Sequence, residues 1–302
     1  MRRFVALVAL VVPMLAFSPG CKLASRQRVQ AINRLNEGIA LENKNNTTGA
    51  EKSLKEAIEL DPTFAKPYYI LGQMYRKQGK LVDAEKMFRG AIDNMKEEPN
   101  AEYHYQLGTI LTAQGEAQGV SQTEQAAKFN DAIAQFQECI KLDPNHYRSY
   151  YRTGTLYEKL DQPQKADQNY RKAIELRPGY SLSFVALGNM YIDYGHANVG
   201  QAVLDVGTKV NDKDAHMWNG LGRAQFALNK PLDAIESFKK AKAIDPDLVD
   251  VLYGLGMAYA EVRDRKNAVE NLQAFLQKAG NDVPEDRKKA ANDTMARIKD
   301  VI

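Results

Sequence analysis

Apolar and small side chains return along this chain at alternating steps of four and three, with polar residues filling the positions between. The pattern is clearest from Tyr147 to Tyr180. Tyr150, Gly154 and Tyr157 carry it in the first half of that stretch, and Ala166, Tyr170 and Ala173 in the second. Such intervals put each set on one face of a helix. Between the halves lies Asp161-Gln162-Pro163, where Pro163 suits the first turn of a helix, and Pro178 prevents the second helix from continuing. The segment therefore predicts an αα-hairpin of 34 residues. A unit that small cannot bury both faces alone and needs neighbours.

The neighbours are visible as repeats. The glycine of the first helix returns as Gly38, Gly72, Gly108, Gly154, Gly188, Gly222 and Gly256, at intervals of 34, 36, 46, 34, 34 and 34. The closing proline returns as Pro62, Pro144, Pro178 and Pro246, with Pro99 slightly late. The second-helix pattern returns as Ala84, Phe88, Ala91 and as Ala234, Phe238, Ala241. With Tyr68, Leu71, Gly72, Tyr75 and Phe184, Leu187, Gly188, Tyr191, this pattern resembles the tetratricopeptide repeat (TPR) family over residues 31–282. The resemblance implies an all-α fold: a right-handed αα-superhelix, or TPR solenoid, of about seven helix-turn-helix repeats with a C-terminal capping helix. The repeats fall at 31–64, 65–100, 101–146, 147–180, 181–214, 215–248 and 249–282, followed by the cap at 283–302.

Three repeats depart from the pattern. The first has Arg34 where a large apolar residue belongs, which an end repeat tolerates because one face meets water. The third carries an insertion of about 12 residues between Gly115 and Asn130, polar enough for a solvated loop, a one-turn helix extension or a partner contact. The fifth has Gly200 and Gly207 where alanines are expected and Asp212 in place of proline, which predicts a soft joint near 196–214. In the final segment Ala291, Met295, Ile298 and Ile302 form one apolar face opposite charged residues, as a solvent cap requires.

The N-terminus changes the picture from fold to address. Arg2 and Arg3 precede a 14-residue apolar run from Phe4 to Phe17, followed by Ser18, Pro19, Gly20 and Cys21. The run is short for a membrane span, which takes roughly 20 residues, and reads as a secretory signal at 1–20. Cys21 directly after Gly20 makes it resemble a bacterial lipoprotein signal, although Ser18 and Pro19 are atypical of that family. The resemblance implies that the Cys21 thiol receives a diacylglyceryl group and the new amine an acyl chain such as palmitate. Residues 21–30 then form a short basic linker. An uncleaved anchor and an ordinary secreted protein are the alternatives. Lys22, rather than the aspartate that retains such lipoproteins at the inner membrane, leans toward the outer membrane, facing the periplasm.

Charge and chemistry narrow the function. Net charge is +3 over the chain and +1 without residues 1–20, with 39 basic against 38 acidic residues, which gives no electrostatic case for nucleic acid. His104, His146, His196 and His216 form no metal-spaced pair with one another or with a cysteine, and Cys139 replaces a tight-contact alanine. No cofactor, metal or small-molecule substrate is expected, and no catalytic residue.

The family resemblance implies that the fifth residue of each first helix faces a concave groove, here Leu35, Tyr69, Tyr105, Tyr151, Val185, Asn219 and Tyr253. One turn on lie Gln73, Thr109, Thr155, Asn189, Arg223 and Met257. Tyr69, Tyr105 and Tyr151 are expected to form a ladder suited to an extended peptide, or else to pack between helices with only their hydroxyls wet. No lysine occupies the groove-facing fifth position, so the carboxylate clamp of some family members is not expected. The layout also resembles the type IV pilus pilotin lipoproteins, and equally the TPR lipoproteins that recruit cell-wall enzymes or motility components. A lipid-anchored, non-catalytic envelope adaptor for a protein or peptide partner follows from these resemblances. The alternatives are an enzyme or enzyme subunit acting on peptidoglycan and a self-associating structural envelope protein.

Overall fold

The computed structural model describes residues 25–95, 99–281 and 283–299. Cys21, the signal-like segment and Ile302 lie outside them. Every regular element among the described residues is an α-helix. Seven antiparallel pairs follow in order: α1 Arg26–Asn43 with α2 Thr47–Leu60, α3 Ala65–Lys77 with α4 Leu81–Asp93, α5 Ala101–Gly115 with α6 Gln122–Leu142, and α7 Tyr147–Lys159 with α8 Pro163–Leu176. The rear pairs are α9 Ser181–Asp193 with α10 Ala197–Val210, α11 Ala215–Ala227 with α12 Pro231–Ile244, and α13 Val249–Glu261 with α14 Arg265–Lys278; α15 Glu285–Lys299 follows alone. Each pair packs on the next, giving the right-handed αα-superhelix expected from the period.

The small residues are seats for large ones. A β-carbon on Gly72 would lie 3.0 Å from the Phe88 ring, one on Gly154 2.7 Å from Tyr170, and one on Gly222 2.7 Å from Phe238. Those rings are fully buried, flanked by alanines one turn away on their own helices. The turn inside each hairpin needs one left-handed residue. Asn45, Gly79, Gly119, Asp161, Gly195 and Asn229 supply it with types that accept positive φ, whereas Arg263, at φ 61°, does so against its preference. His104 packs on the core side with its Nδ1 2.8 Å from Gln135 Oε1, and Cys139 is a fully buried free thiol.

The structure adds three details to the sequence expectations. First, α1 begins at Arg26, so the segment expected as a linker to residue 30 is helical over its last five residues. Ser25 caps the helix by accepting from the Arg28 amide at 3.1 Å, and Arg28 is held by Asp61 at 2.5 Å and by the Phe64 ring at 4.5 Å. Second, the insertion lengthens the hairpin itself: α6 has 21 residues where α8 has 14. Phe129 buries against Gly115, and Gln125 donates to the Gly115 carbonyl at 3.0 Å. Third, Gly200 and Gly207 are tight seats. A β-carbon on Gly200 would stand 2.7 Å from the Gly188 carbonyl oxygen, and one on Gly207 2.7 Å from the Met217 sulfur.

Candidate concave recognition surface

The first helices of the hairpins line one continuous face, and the residues expected there are placed unequally. Tyr69 is buried, its ring 4.8 Å from Tyr103 and 6.0 Å from Phe88, with its hydroxyl accepting from Gln73 at 2.7 Å. That desolvation pushes its pKa up to about 12. Tyr105 is half-buried between Phe136 at 5.8 Å and His146 at 4.8 Å, and Tyr151 between Tyr170 at 6.0 Å and Tyr180 at 5.3 Å. The three tyrosines therefore do not stack directly on one another. Each wedges against a ring at or near the start of the next first helix: Tyr103, His146 and Tyr180 in turn. Tyr69 thus packs between helices, the second of the two arrangements expected, while Tyr105 and Tyr151 are only half covered.

The polar positions divide similarly. The Thr109 hydroxyl donates to the Tyr105 carbonyl at 2.9 Å and Thr155 to the Arg152 carbonyl at 2.7 Å, so both bond within their own helix. Arg223 bridges repeats, donating to Asn189 at 3.0 Å and to Asp193 at 2.7 Å. Asn219 is buried with its Oδ1 lacking a hydrogen-bond partner. Tyr253 lies under the Arg287 guanidinium of α15 at 4.9 Å, and Arg287 also pairs with Asp250 at 2.7 Å, so the rear of the face is covered by the last helix. At the front, a cleft of about 870 Å³ opens beside the N-terminal ends of α1, α3 and α5, with Arg28, Lys66, Asp93 and Tyr103 on its walls.

Sequence reasoning missed the residues that precede or open each first helix. His146, Tyr147, Arg148 and Tyr180 gather beside Tyr105 and Tyr151, and their signal was positional. His146 and Tyr180 sit 34 residues apart, one place before the helices begin. It also missed α10. Val199, Ala202, Val203 and Val206 line an apolar groove of about 450 Å³ with Ile174, whereas the equivalent places in the next repeat are Asp233, Glu236, Ser237 and Lys240. Lining up the repeats would have shown it.

His146 joins repeats three and four. Its Nε2 is 3.8 Å from Glu102 and its Nδ1 2.9 Å from the Ser149 hydroxyl. Burial opposes the charged ring, but the adjacent Cys139 sulfur and Glu102 carboxylate outweigh it and lift the pKa to about 9. Burial likewise opposes the Glu102 carboxylate, and the His146 ring at 3.8 Å, a hydrogen bond from Gln106 and the Arg148 charge outweigh it, holding that pKa below the ordinary value. A raised histidine stabilises fully below its unfolded value near 6.5 and loses that contribution as pH rises through about 9. The Glu102 contribution is present above about 4.5 and lost as pH falls. The melting temperature is therefore expected to drop by roughly 2–4 °C between pH 6 and pH 9, the amount ~1 kcal/mol moves a chain of this size. His146 also caps α7, its Nδ1 accepting from the Ser149 amide at 3.3 Å, so His146→Asn, whose side-chain oxygen can take over the cap, should flatten that limb in thermal melts followed by circular dichroism.

Among the described residues no group of three or more His, Cys, Asp or Glu side chains is arranged to hold a metal, and no helix is long and apolar enough to cross a membrane. Comparison with known proteins agrees with the fold. Tetratricopeptide repeat models match residues 34–64, 53–86, 136–168, 186–249 and 250–282. Tetratricopeptide repeat protein 37 of Xenopus laevis is 24% identical over 257 residues, covering 73% of this chain and only 16% of that protein. Among solved structures, a tetratricopeptide repeat protein from Parabacteroides merdae superposes with a TM-score of 0.61 at 16% identity, over 90% of this chain and 99% of that one. Pseudomonas aeruginosa pilF does so with a TM-score of 0.56 at 15% identity, over 74% and 96%. At such identities these structures establish the fold alone. Arrays of this kind are scaffolds for protein–protein interaction, generally without catalysis. The period, the glycine seats and the matched segments together place this chain in the tetratricopeptide repeat family.

Proposed function

We propose that this protein is a non-catalytic adaptor of the bacterial cell envelope, lipid-anchored through Cys21 to the outer membrane on its periplasmic face. Its concave face would hold a segment of a partner protein for assembly of an envelope complex, whether secretin, motility or cell-wall machinery. The anchor raises local concentration and the face selects the partner. One observation carries the binding half: the middle of the face presents the half-exposed Tyr105 and Tyr151, ringed by further aromatic and basic side chains. Rigid aromatic edges supply contact area at low entropy cost. The anchoring half rests on the basic start, the short apolar run and the Gly20-Cys21 junction.

Site-specific photocross-linking in the native host tests both halves. A cross-linker at Tyr105, Thr109, Tyr151 or Thr155 should give one discrete adduct in the membrane fraction, and convex controls at Glu138 and Lys172 should give none. With Cys21→Ala, the adduct should fall and the protein should leave the membranes. Adducts from the convex controls alone would refute the concave face as the docking site. Unchanged membrane retention of Cys21→Ala would refute the anchor.

A further inference from the structure

Four tyrosine hydroxyls of this protein take a carboxylate as acceptor. Tyr75 donates to Glu51 at 2.9 Å, Tyr170 to Glu158 at 2.7 Å, Tyr191 to Asp167 at 2.7 Å and Tyr194 to Asp161 at 2.8 Å. Each takes a carboxylate of a neighbouring element. In the middle of the concave face, four tyrosines close together leave that kind of acceptor unused. Tyr105, Tyr147, Tyr151 and Tyr180 lie together, with Tyr180 edge-on to Tyr147 at 5.0 Å and to Tyr151 at 5.3 Å. None of the four hydroxyls donates to an acid among the described residues.

The basic side chains there are alike in this respect. Arg28, Arg34, Arg89, Arg171, Arg223 and Arg287 each pair with an Asp or Glu. Arg148 and Arg152, on the same helix as Tyr147 and Tyr151, make no ion pair among the described residues; Arg26, Arg76, Arg177, Arg263 and Arg297 make none either, but only these two stand beside the tyrosine cluster. Arg148 is exposed, with its guanidinium 5.7 Å from the Tyr147 ring centre. The Tyr147 hydroxyl first, and those of Tyr105 and Tyr180 after it, reinforce its positive charge and hold its pKa above the ordinary value. The two nearby acids are engaged: Glu102 by Gln106 at 2.5 Å and by His146, and Glu158 by Tyr170.

We propose that this cluster is a receptor for a carboxylate side chain, so that the segment bound in the groove carries an aspartate or glutamate seated on Arg148 among the tyrosine hydroxyls. The proposal rests on the groove-binding reading above and adds the partner's chemistry to it. An exposed guanidinium beside a cluster of hydroxyl donors is complementary to an anionic oxygen pair. The near-neutral chain and the isolation of two arginines on one helix fit a single acidic residue of a peptide better than a polyanion.

Selection of a displayed random dodecapeptide library on the purified protein tests this. The expected result is enrichment of sequences with a central Asp or Glu. The fluorescein-labelled consensus should bind about tenfold to hundredfold more weakly to Arg148→Gln, as for loss of a hydrogen-bonded charge. Tyr180→Phe, which removes only a hydroxyl, should weaken it by a smaller factor. The consensus with glutamine in place of its acid should bind weakly and be indifferent to Arg148→Gln. Enriched peptides without an acid, or acidic ones unaffected by both Arg148→Gln and Arg152→Gln, would overturn the carboxylate receptor and leave groove binding standing. No enriched sequence at all would remove the groove reading and this inference with it. Arg148-dependent binding of inorganic phosphate with no acid preference among peptides would assign the site to a free anion and overturn the proposal.

Discussion

Replacing Tyr170 with alanine is expected to cost about 3–5 kcal/mol, the range for deleting a buried aromatic ring. The side chain is fully buried on α8, seated under Gly154 of its own repeat and packed with Leu187 and Met190 of the next. It therefore joins repeats four and five as well as closing repeat four. Its hydroxyl donates at 2.7 Å to Glu158, whose carboxyl burial already pushes above its ordinary pKa. Alanine leaves a cavity and removes that donor together. Tyr170→Phe separates the two effects and should cost ~1–3 kcal/mol, the penalty of an acceptor left without its bond. In a repeat array each unit contacts only its neighbours, so a defect in the middle weakens the coupling between front and rear blocks. Urea unfolding followed by circular dichroism should show two separated transitions for Tyr170→Ala where the wild type shows one. A single transition with an unchanged midpoint would mean that repeats four and five are coupled elsewhere.

The fold was legible because its rule is local and recurs. A glycine or alanine every turn where helices touch, an aromatic opposite it and a turn residue at a fixed offset left one signature in each repeat. Where that signature was strong, as in Gly154, Ala166, Tyr170 and Ala173, sequence and structure coincide residue for residue. The start of α1 was hidden because its stabilising partners, Asp61 and Phe64, lie in the next connection. The insertion was ambiguous because a polar stretch with Phe129 at its end suits a loop as well as an extended amphipathic hairpin. The Arg263 turn was invisible, since arginine does not advertise a left-handed backbone. The recognition surface was harder for a different reason. Register tells which face a residue occupies, but not whether its ring points across the groove or back under the next helix. Tyr69 takes the second course, while Tyr105 and Tyr151 are only half covered. His146, Arg148 and Tyr180 lie at helix starts, where periodicity carries no weight, and only their shared offset between repeats could have drawn them out.

Gly254→Ala is expected to destabilise the rear of the array by about 1–3 kcal/mol although alanine is the better helix former. The position is a helix interior, where exchanging glycine for alanine ordinarily gains up to ~1 kcal/mol, so the sign depends on what the new methyl meets. It would meet the Phe238 ring at 2.5 Å. That ring cannot retreat, because on its other side it lies against Gly222, where a β-carbon would stand 2.7 Å away. Ala234 and Ala241, both fully buried on the ring's own helix, leave no room along it. The preceding repeat shows how the strain could be relieved. There Leu204 takes the place of Phe238, and a β-carbon on Gly220, the counterpart of Gly254, would lie 3.1 Å from it. One repeat earlier still, Ala186 fills the same place beside Tyr170, so the fold accepts a methyl where the facing ring is positioned for it. Phe238→Leu alone should cost ~1 kcal/mol or more, since it empties part of a well-packed seat. Combined with Gly254→Ala it should be less damaging than the two single changes added together. A double-mutant cycle by urea denaturation measures that difference, and a coupling of about 1 kcal/mol in the compensating direction is the expected result. Additive effects would mean that α13 moves away from α12 as a body when the methyl is added. The glycine would then be setting helix spacing rather than gripping one ring.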